Sequence, residues 1–347
     1  MSSLIKSNLT AASRELFQRK PDEVFESLPA LARHCQDRKD KSVDRWVPPR
    51  ALRAVPIMTE LVLSSGDGEP VRMNDWSFTQ LCGLAKVSKD TVNRLTPDTA
   101  SRVFAEALPQ ASKPVQLFAE GDRLRSLHGS SYTRLFDSEV LAMVSEFAVD
   151  FGPPQVGLDG KTGLYAGEQD LFCFLIDPTG WAEIEGEAFA PGFFVWNSEV
   201  GKRSVGVSTF WFQAVCRNHI VWDATEVVEV TRKHTGKVGE ALADIRRVIE
   251  QLVAKRDERR DGFVTVIKAA MEAKLGDDAE GVLKVLAKEG IGKALAKRAV
   301  EAARSGGRFT VFSVVDALTR LAGECQYAGD RLAADQQAAS LLRLVAA

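Results

Sequence analysis

FFVWNSEVGKRSVGVSTFWFQAVCRNHIVWDATEVVEVTRKHTG, residues 193–236, is the stretch on which the fold turns. Within it Val205–Val215 is rich in β-branched and aromatic residues and free of proline, which predicts a strand buried on both faces in mid-sheet. Phe193–Trp196 predicts a shorter strand before it. The intervening Asn197-Ser-Glu-Val-Gly-Lys202 has turn composition, so the two strands are expected to form a hairpin. A third strand is expected at His219–Trp222 or Val227–Val230. Twelve of the chain's 27 aromatic residues (18 Phe, 6 Trp, 3 Tyr) fall between Tyr165 and Trp222, so the sheet rather than the helices is expected to hold the aromatic core.

From Lys237 onward the period changes. Val238, Leu242, Ile245, Ile249 and Leu252 recur at steps of three and four, the stripe of an amphipathic helix whose other face carries Glu240, Asp244, Arg247 and Gln251. The charged run Asp257–Gly262 is expected to end that helix. Further helices are expected at Phe263–Leu275, Glu280–Lys288, Lys293–Arg304, Thr310–Leu321 and Asp330–Val345, with charges alternating in sign as on solvated faces. The expected fold class is α+β: a central, mostly antiparallel sheet flanked by helices, followed by an all-helical C-terminal region. The chain divides into a helical N-terminal segment (1–53), an α+β core domain (54–236) and a helical C-terminal region (237–347).

Upstream, Pro21 at a first helical position precedes Val24, Phe25, Leu28 and Leu31, a short amphipathic helix. Asp37–Asp44 reads as a solvated linker. Leu61–Leu63 and Val71–Met73 flank a Gly- and Pro-containing turn and predict a hairpin; Val115–Phe118 and Arg123–Leu127 predict two more strands. Asp137 fits an N-cap for a helix burying Val140, Leu141, Val144 and Phe147. Leu81–Leu95 has spacing that would suit a helix-turn-helix with Lys89, Asp90, Asn93 and Arg94 facing a groove, but Lys86 stands where such turns carry glycine, and plain helix packing is the expectation.

The 347 residues, 45% hydrophobic and 27% charged, suit a globular protein with a sizeable core and about two domains. The longest apolar run, Leu171–Ile176, is far too short to span a bilayer, and Met1-Ser-Ser-Leu-Ile-Lys lacks a signal peptide's apolar core, so the cytoplasm is expected and a membrane is not. Cys35, Cys82, Cys173, Cys216 and Cys325 are odd in number and lack any Cys-x-x-Cys, and read as buried thiols. The net charge of −2 conceals a division. Residues 137–200 carry 12 acidic and 1 basic side chains, whereas 1–136 and 201–304 are net positive, which leaves room for a local anion-binding face.

The acidic tract does not resemble a metal site: Asp170 and Asp177 flank an apolar strand, and Glu183, Glu185 and Glu187 alternate as on a solvated strand edge. Dinucleotide, phosphate-loop, nucleophile-elbow and His-Glu-x-x-His motifs are absent. No cofactor or metal is expected.

Trp196-Asn-Ser, Val215-Cys-Arg-Asn218 and His234-Thr235, in that order, resemble the central signature of a phage- and plasmid-associated family catalogued as domain of unknown function 932. Trp76-Ser-Phe-Thr-Gln-Leu81 and Arg125-Ser-Leu-His-Gly-Ser-Ser-Tyr132 resemble that family's N-terminal helix and Ser-x-x-Tyr segment, and Phe309–Thr319 resembles its last helix. The likeness spans about residues 50–345 and departs at His219, where Thr or Ser is expected, and after Gly83. It implies carriage on mobile DNA and no particular chemistry.

Two chemistries can be assembled from residues 193–237. Cys216, His219 and His234, oriented by Asn218, would make a zinc or Cys/His nucleophile site, the core of a metal- or Cys-dependent hydrolase. Against this, a Cys ending an apolar strand is usually a buried residue. Lys202, Arg203, Arg217, Arg232, Lys233 and Lys237 would meet phosphates, with Trp196, Trp211 and Trp222 as candidate stackers for unpaired bases. The function expected is therefore non-catalytic DNA binding in mobile-element DNA metabolism, single-stranded DNA being the favoured partner and a homo-oligomer allowed. A protein-interaction or host-interference factor without nucleic-acid contact is the other alternative.

Overall fold

A computed structural model describes residues 15–66, 68–147, 150–153, 163–213, 218–220, 230–304 and 309–345. The first part of the chain runs β1 (Glu23–Val24), α1 (Leu28–Asp40), β2 (Ser42–Val47), β3 (Leu52–Ile57), β4 (Glu60–Ser65), β5 (Val71–Met73), α2 (Asp75–Ala85), α3 (Lys89–Val92), α4 (Pro97–Ala107), β6 (Val115–Glu120), β7 (Arg123–His128) and α5 (Asp137–Ser145). Then come β8 (Leu164–Ala166), β9 (Leu171–Ile176), β10 (Ala182–Ile184), β11 (Glu187–Asn197), β12 (Val205–Gln213), β13 (Asn218–Ile220) and β14 (Val230–Arg232). The helices α6 (Ala241–Ala254), α7 (Arg256–Glu272), α8 (Ala279–Lys288), α9 (Lys293–Arg304), α10 (Val311–Ala322) and α11 (Ala328–Ala339) complete it.

The fold is α+β, but with two sheets where one was expected. The first has six strands in the order β2-β6-β7-β5-β4-β3, antiparallel except for the parallel β5–β7 pair. Its core side, including Leu52, Leu63, Leu117 and Leu124, packs on Phe78 and Leu81 of α2 and Phe104 of α4. The second has eight strands along the path β1-β8-β9-β11-β12-β13, with β10 on β11 and β14 on β12. As the period-two pattern requires, its residues sort by parity. Leu171, Cys173, Leu175, Phe193, Val195, Val205 and Val207 lie beneath α1, α5 and α6. Tyr165, Phe172, Phe174, Phe194, Trp196, Phe210 and Phe212 occupy the other face, with Ala328 and Leu332 of α11.

The expected hairpin from Phe193 is present as far as Gln213, beyond which Ala214 and Val215 lie outside the described residues; β11 extends back to Glu187 and pairs with β12 from Phe189↔Gln213 to Trp196↔Gly206. Gly192 is required there: a Cβ would stand 2.3 Å from the Leu175 carbonyl oxygen and 2.7 Å from the Phe210 ring. The hairpins at 61–73 and 115–127 are also present.

Several local expectations are corrected. The first described helix starts at Leu28, because its start signals are Ser27, whose Oγ accepts from the Ala30 N–H at 3.3 Å, and Pro29 rather than Pro21. Val24 is an exposed strand residue. Asp37–Asp44 is no linker: its charges find partners, Arg38 with Glu120 at 3.4 Å and Lys39 with Glu139 at 2.9 Å, as the chain passes from α1 into β2. Residues 15–53 therefore contribute strands to both sheets as well as a helix. Asp257–Gly262 does not end a helix but begins α7, where Asp257 and Glu258 complement the helix dipole in the first turn. Cys35, Cys82 and Cys173 are buried as expected; Cys325 is only half-buried.

Beyond Lys237 the regular elements among the described residues are helices, apart from one isolated bridge, Lys274↔Thr310. This region docks on the far end of the second sheet, where Trp211 stacks on Phe263 of α7 with centroids 4.0 Å apart and planes at 7°. No helix among the described residues is long and apolar enough to cross a membrane.

Candidate functional site

The turn joining β11 to β12 is polar in sequence yet buried: Asn197 and Ser198 are 0% exposed and Glu199 2%. Burying such groups is costly unless they are hydrogen-bonded, and partners converge on them from the first sheet, two helices and the loops between. Asn197 Nδ2 donates to the Leu135 carbonyl at 2.9 Å and to Asp137 Oδ1 at 2.8 Å. Ser198 Oγ donates to the Gln169 carbonyl and accepts from the Lys202 N–H at 2.9 Å. Glu199 Oε2 accepts from Arg125 of β7 at 2.6 Å, and its Oε1 from the Asp137 N–H at 2.8 Å. The Glu199 carbonyl accepts from Tyr132 Oη at 2.7 Å and from Arg134; the Val200 carbonyl accepts from Trp76 Nε1 at 2.8 Å. The Arg125–Glu199 pair thus ties one sheet to the other.

The two buried carboxyls titrate in opposite directions. Burial would raise Glu199, but Arg125, the Asp137 N–H and Arg38 outweigh it and hold that carboxyl below its usual range. Burial, then the neighbouring Glu199 charge, pushes Asp137 up. Asp137, expected as an N-cap, is instead the first helical residue, and its carboxyl serves Asn197.

Beside the turn, Tyr132 is stacked between two histidines: on His128 at 3.7 Å and 7°, and on His234 at 5.5 Å and 24°. Burial first, with Arg134 adding to it, pushes both imidazoles down to about 4, so both rings are neutral at pH 7. Gly201 seals the stack. Its φ of 72° is left-handed, and a Cβ would stand 2.6 Å from His128 Cε1 and 2.9 Å from Tyr132 Cε2. Arg134 lies over the Phe118 ring at 3.5 Å and pairs with Asp44 at 3.0 Å.

Cations form the outer layer. Pairing of β12 with β14 sets Val205 opposite Arg232, so the residues before Val205 and those after Arg232 share one end of the sheet. Lys202, Lys233 and Lys237 are exposed there, Lys202 Nζ lying 4.9 Å above the Trp76 ring. Arg232 is placed by its backbone alone, and Arg217, Cys216 and Trp222 lie outside the described residues. Arg203 is not part of this rim: it pairs with buried Asp170 at 3.1 Å and abuts Gly329.

The stacking expectation is corrected for two tryptophans. Trp196 is 7% exposed inside the aromatic core and Trp211 is 1% exposed against Phe263, so neither offers a face to a base. Both point inward because the strands carrying them are covered on both faces. His234 stacks on Tyr132, Cys216 lies outside the described residues, and among the described residues no three His, Cys, Asp or Glu converge as a metal site. The Leu81–Leu95 segment packs as helices: α3 is four residues long, Lys89 pairs with Asp75 at 2.6 Å, and buried Asn93 bonds the Phe17 backbone.

Sequence reasoning missed the roles of Arg125, His128, Tyr132, Asp137 and Glu199. A signal existed: Trp76, Gln80, Arg125–Tyr132, Trp196–Ser198 and His234, quoted above for their likeness to one family, meet around this turn across more than a hundred residues of chain. No family model, curated protein or solved structure matches the chain.

Proposed function

We propose that this protein binds DNA without catalysis, through the basic end of its second sheet, and serves the DNA metabolism of a mobile genetic element. The observation that carries the reading is the β12–β14 register, which brings the loop at Lys202 and the loop at Lys233–Lys237 to one edge. Three exposed lysines at one end of the sheet suit contact with phosphates, whose recognition needs positive charge and no particular base. The likeness to a phage- and plasmid-associated family supports the mobile-element part. With Trp196 and Trp211 buried, the binding rests on phosphate contact, and the preference for single strands loses two of its three stackers.

Binding of labelled single-stranded and duplex DNA across a salt series tests this. Lys202→Ala/Lys233→Ala/Lys237→Ala is expected to weaken binding regardless of base sequence and to flatten log affinity against log salt by about 0.7–0.9 per lost contact. Its unfolding midpoint should match the parent within about 0.5 kcal/mol. Equal affinity of parent and triple variant at every salt concentration sinks this site; failure of both to bind DNA favours a protein-interaction role.

A further inference from the structure

The C-terminal helices carry a second cationic surface that the rim does not use. α8 ends at Lys288, the chain turns through Glu289–Gly292, and α9 begins at Lys293. Gly290 has a left-handed φ of 79°, and the Gly290 and Ile291 N–H groups bond back to the Ala287 and Leu286 carbonyls at 3.2 and 2.9 Å. Ile291 is buried and anchors the turn to the helical core; Val282 and Leu286 of α8 and Ala296, Ala299, Val300 and Ala303 of α9 are buried with it. The packing of this helix pair therefore leaves its opposite face to solvent.

On the exposed side of α9 cations predominate, with Glu301 the one carboxylate among them. Lys293, Lys297 and Arg304 stand at i, i+4 and i+11, on one stripe of α9, with Lys288 just across the turn; all four are exposed and none has an ion-pair partner among the described residues. Several other helix cations are matched: Lys284 with Glu280 at 2.8 Å, Arg260 with Asp257 at 3.1 Å, Arg320 with Asp316 at 2.9 Å. Lys293 also sits at a helix start, where the dipole disfavours a cation, and repels Lys297 one turn on. A negative ligand relieves both. Between the cations lie Ala287, Gly290, Gly292 and Ala294, all exposed, so nothing bulky keeps a ligand's backbone away.

We propose that this face is a sequence-independent binding surface for the phosphate backbone of double-stranded DNA. The stripe from Lys293 to Arg304 spans about 16 Å at the helical rise, enough to follow several phosphates of a strand whose charges recur about every 3.4 Å along the duplex axis. Duplex is specified because residues 279–304 contain no aromatic side chain on which an unpaired base could stack. This surface is separate from the lysine rim and does not depend on it.

Anisotropy titration of the full chain with a labelled duplex of arbitrary sequence, across a salt series, decides the matter. Lys293→Ala/Lys297→Ala should bind duplex severalfold more weakly, with the salt slope reduced by about 1.8, or 0.9 per contact. Gly292→Glu should weaken binding as well while keeping the parent's unfolding midpoint, since a Cβ there meets nothing within 4 Å. Single-stranded DNA should respond less than duplex to both changes. Lys202→Ala/Lys233→Ala/Lys237→Ala should keep the part of the slope that α9 supplies, which separates failure of this surface from failure of the rim. Parental affinity and slope in the double variant, a larger loss on single strands than on duplex, or no duplex binding by the parent at low salt would each overturn the proposal.

Discussion

Two tight turns, Asn197–Arg203 between strands and Glu289–Gly292 between helices, use the same local device and end up opposite in character. Each places a glycine in the left-handed region, Gly201 at 72° and Gly290 at 79°. Around Gly201 the chain is closed: a Cβ would collide with His128 and Tyr132, and Asn197 and Glu199 are bonded inward. Around Gly290 it is open: the nearest atom to a Cβ is Gln337 Nε2 at 4.0 Å, and the flanking Lys288 and Lys293 are exposed. A turn's composition sets the bend the backbone makes. What then approaches it decides whether its polar groups become internal structure or free surface.

The largest effect should come from opening the closed turn. Arg125→Ala leaves Glu199 charged and buried, and is expected to cost about 3–5 kcal/mol in denaturant unfolding. A cost below 1 kcal/mol would mean that the turn is not held from the first sheet. Next, Gly201→Ala adds steric overlap to backbone strain and should cost about 2–4 kcal/mol, whereas Gly290→Ala meets strain alone and should cost about 1–2 kcal/mol. Equal losses at the two glycines would erase the contrast between the turns.

The remaining effect depends on pH. His128 and His234 have folded values of about 4 against an ordinary 6.5. Between these pH values the unfolded chain binds more protons, so stability is present above 6.5 and is lost as pH falls towards 4. The loss should be on the order of 2 kcal/mol per ring, discounted for partial exposure. His128→Phe, which keeps a stacked ring without a titrating group, should flatten that dependence. A parent whose unfolding free energy is level between pH 6.5 and 4 would show that the stack opens to water.

Most of the element pattern was legible in the residues. Val205–Gln213 could be recognised as a central strand because it is apolar at both parities, and the C-terminal helices because their apolar stripes recur at three and four. Boundaries failed where charge was taken for solvation: Asp37–Asp44 and Asp257–Gly262 are structured because opposite charges and a helix dipole receive them. Of the candidate site, Lys202, Lys233 and Lys237 proved exposed, but Arg203 was claimed by Asp170 and two tryptophans by the core.

By itself the sequence determined the fold class, the change of period at Lys237 and the long β11–β12 hairpin, since each rests on local periodicity and turn chemistry that every neighbour along the chain repeats. Tertiary structure alone decided that there are two sheets, that Glu199 is an internal anchor for Arg125, and that His128, Tyr132 and His234 form one stack. Apart from the His128–Tyr132 stack, those contacts join residues dozens to more than a hundred positions apart. Whether a charge is buried with a partner or left in water depends on what the rest of the chain brings to it, which no local pattern encodes.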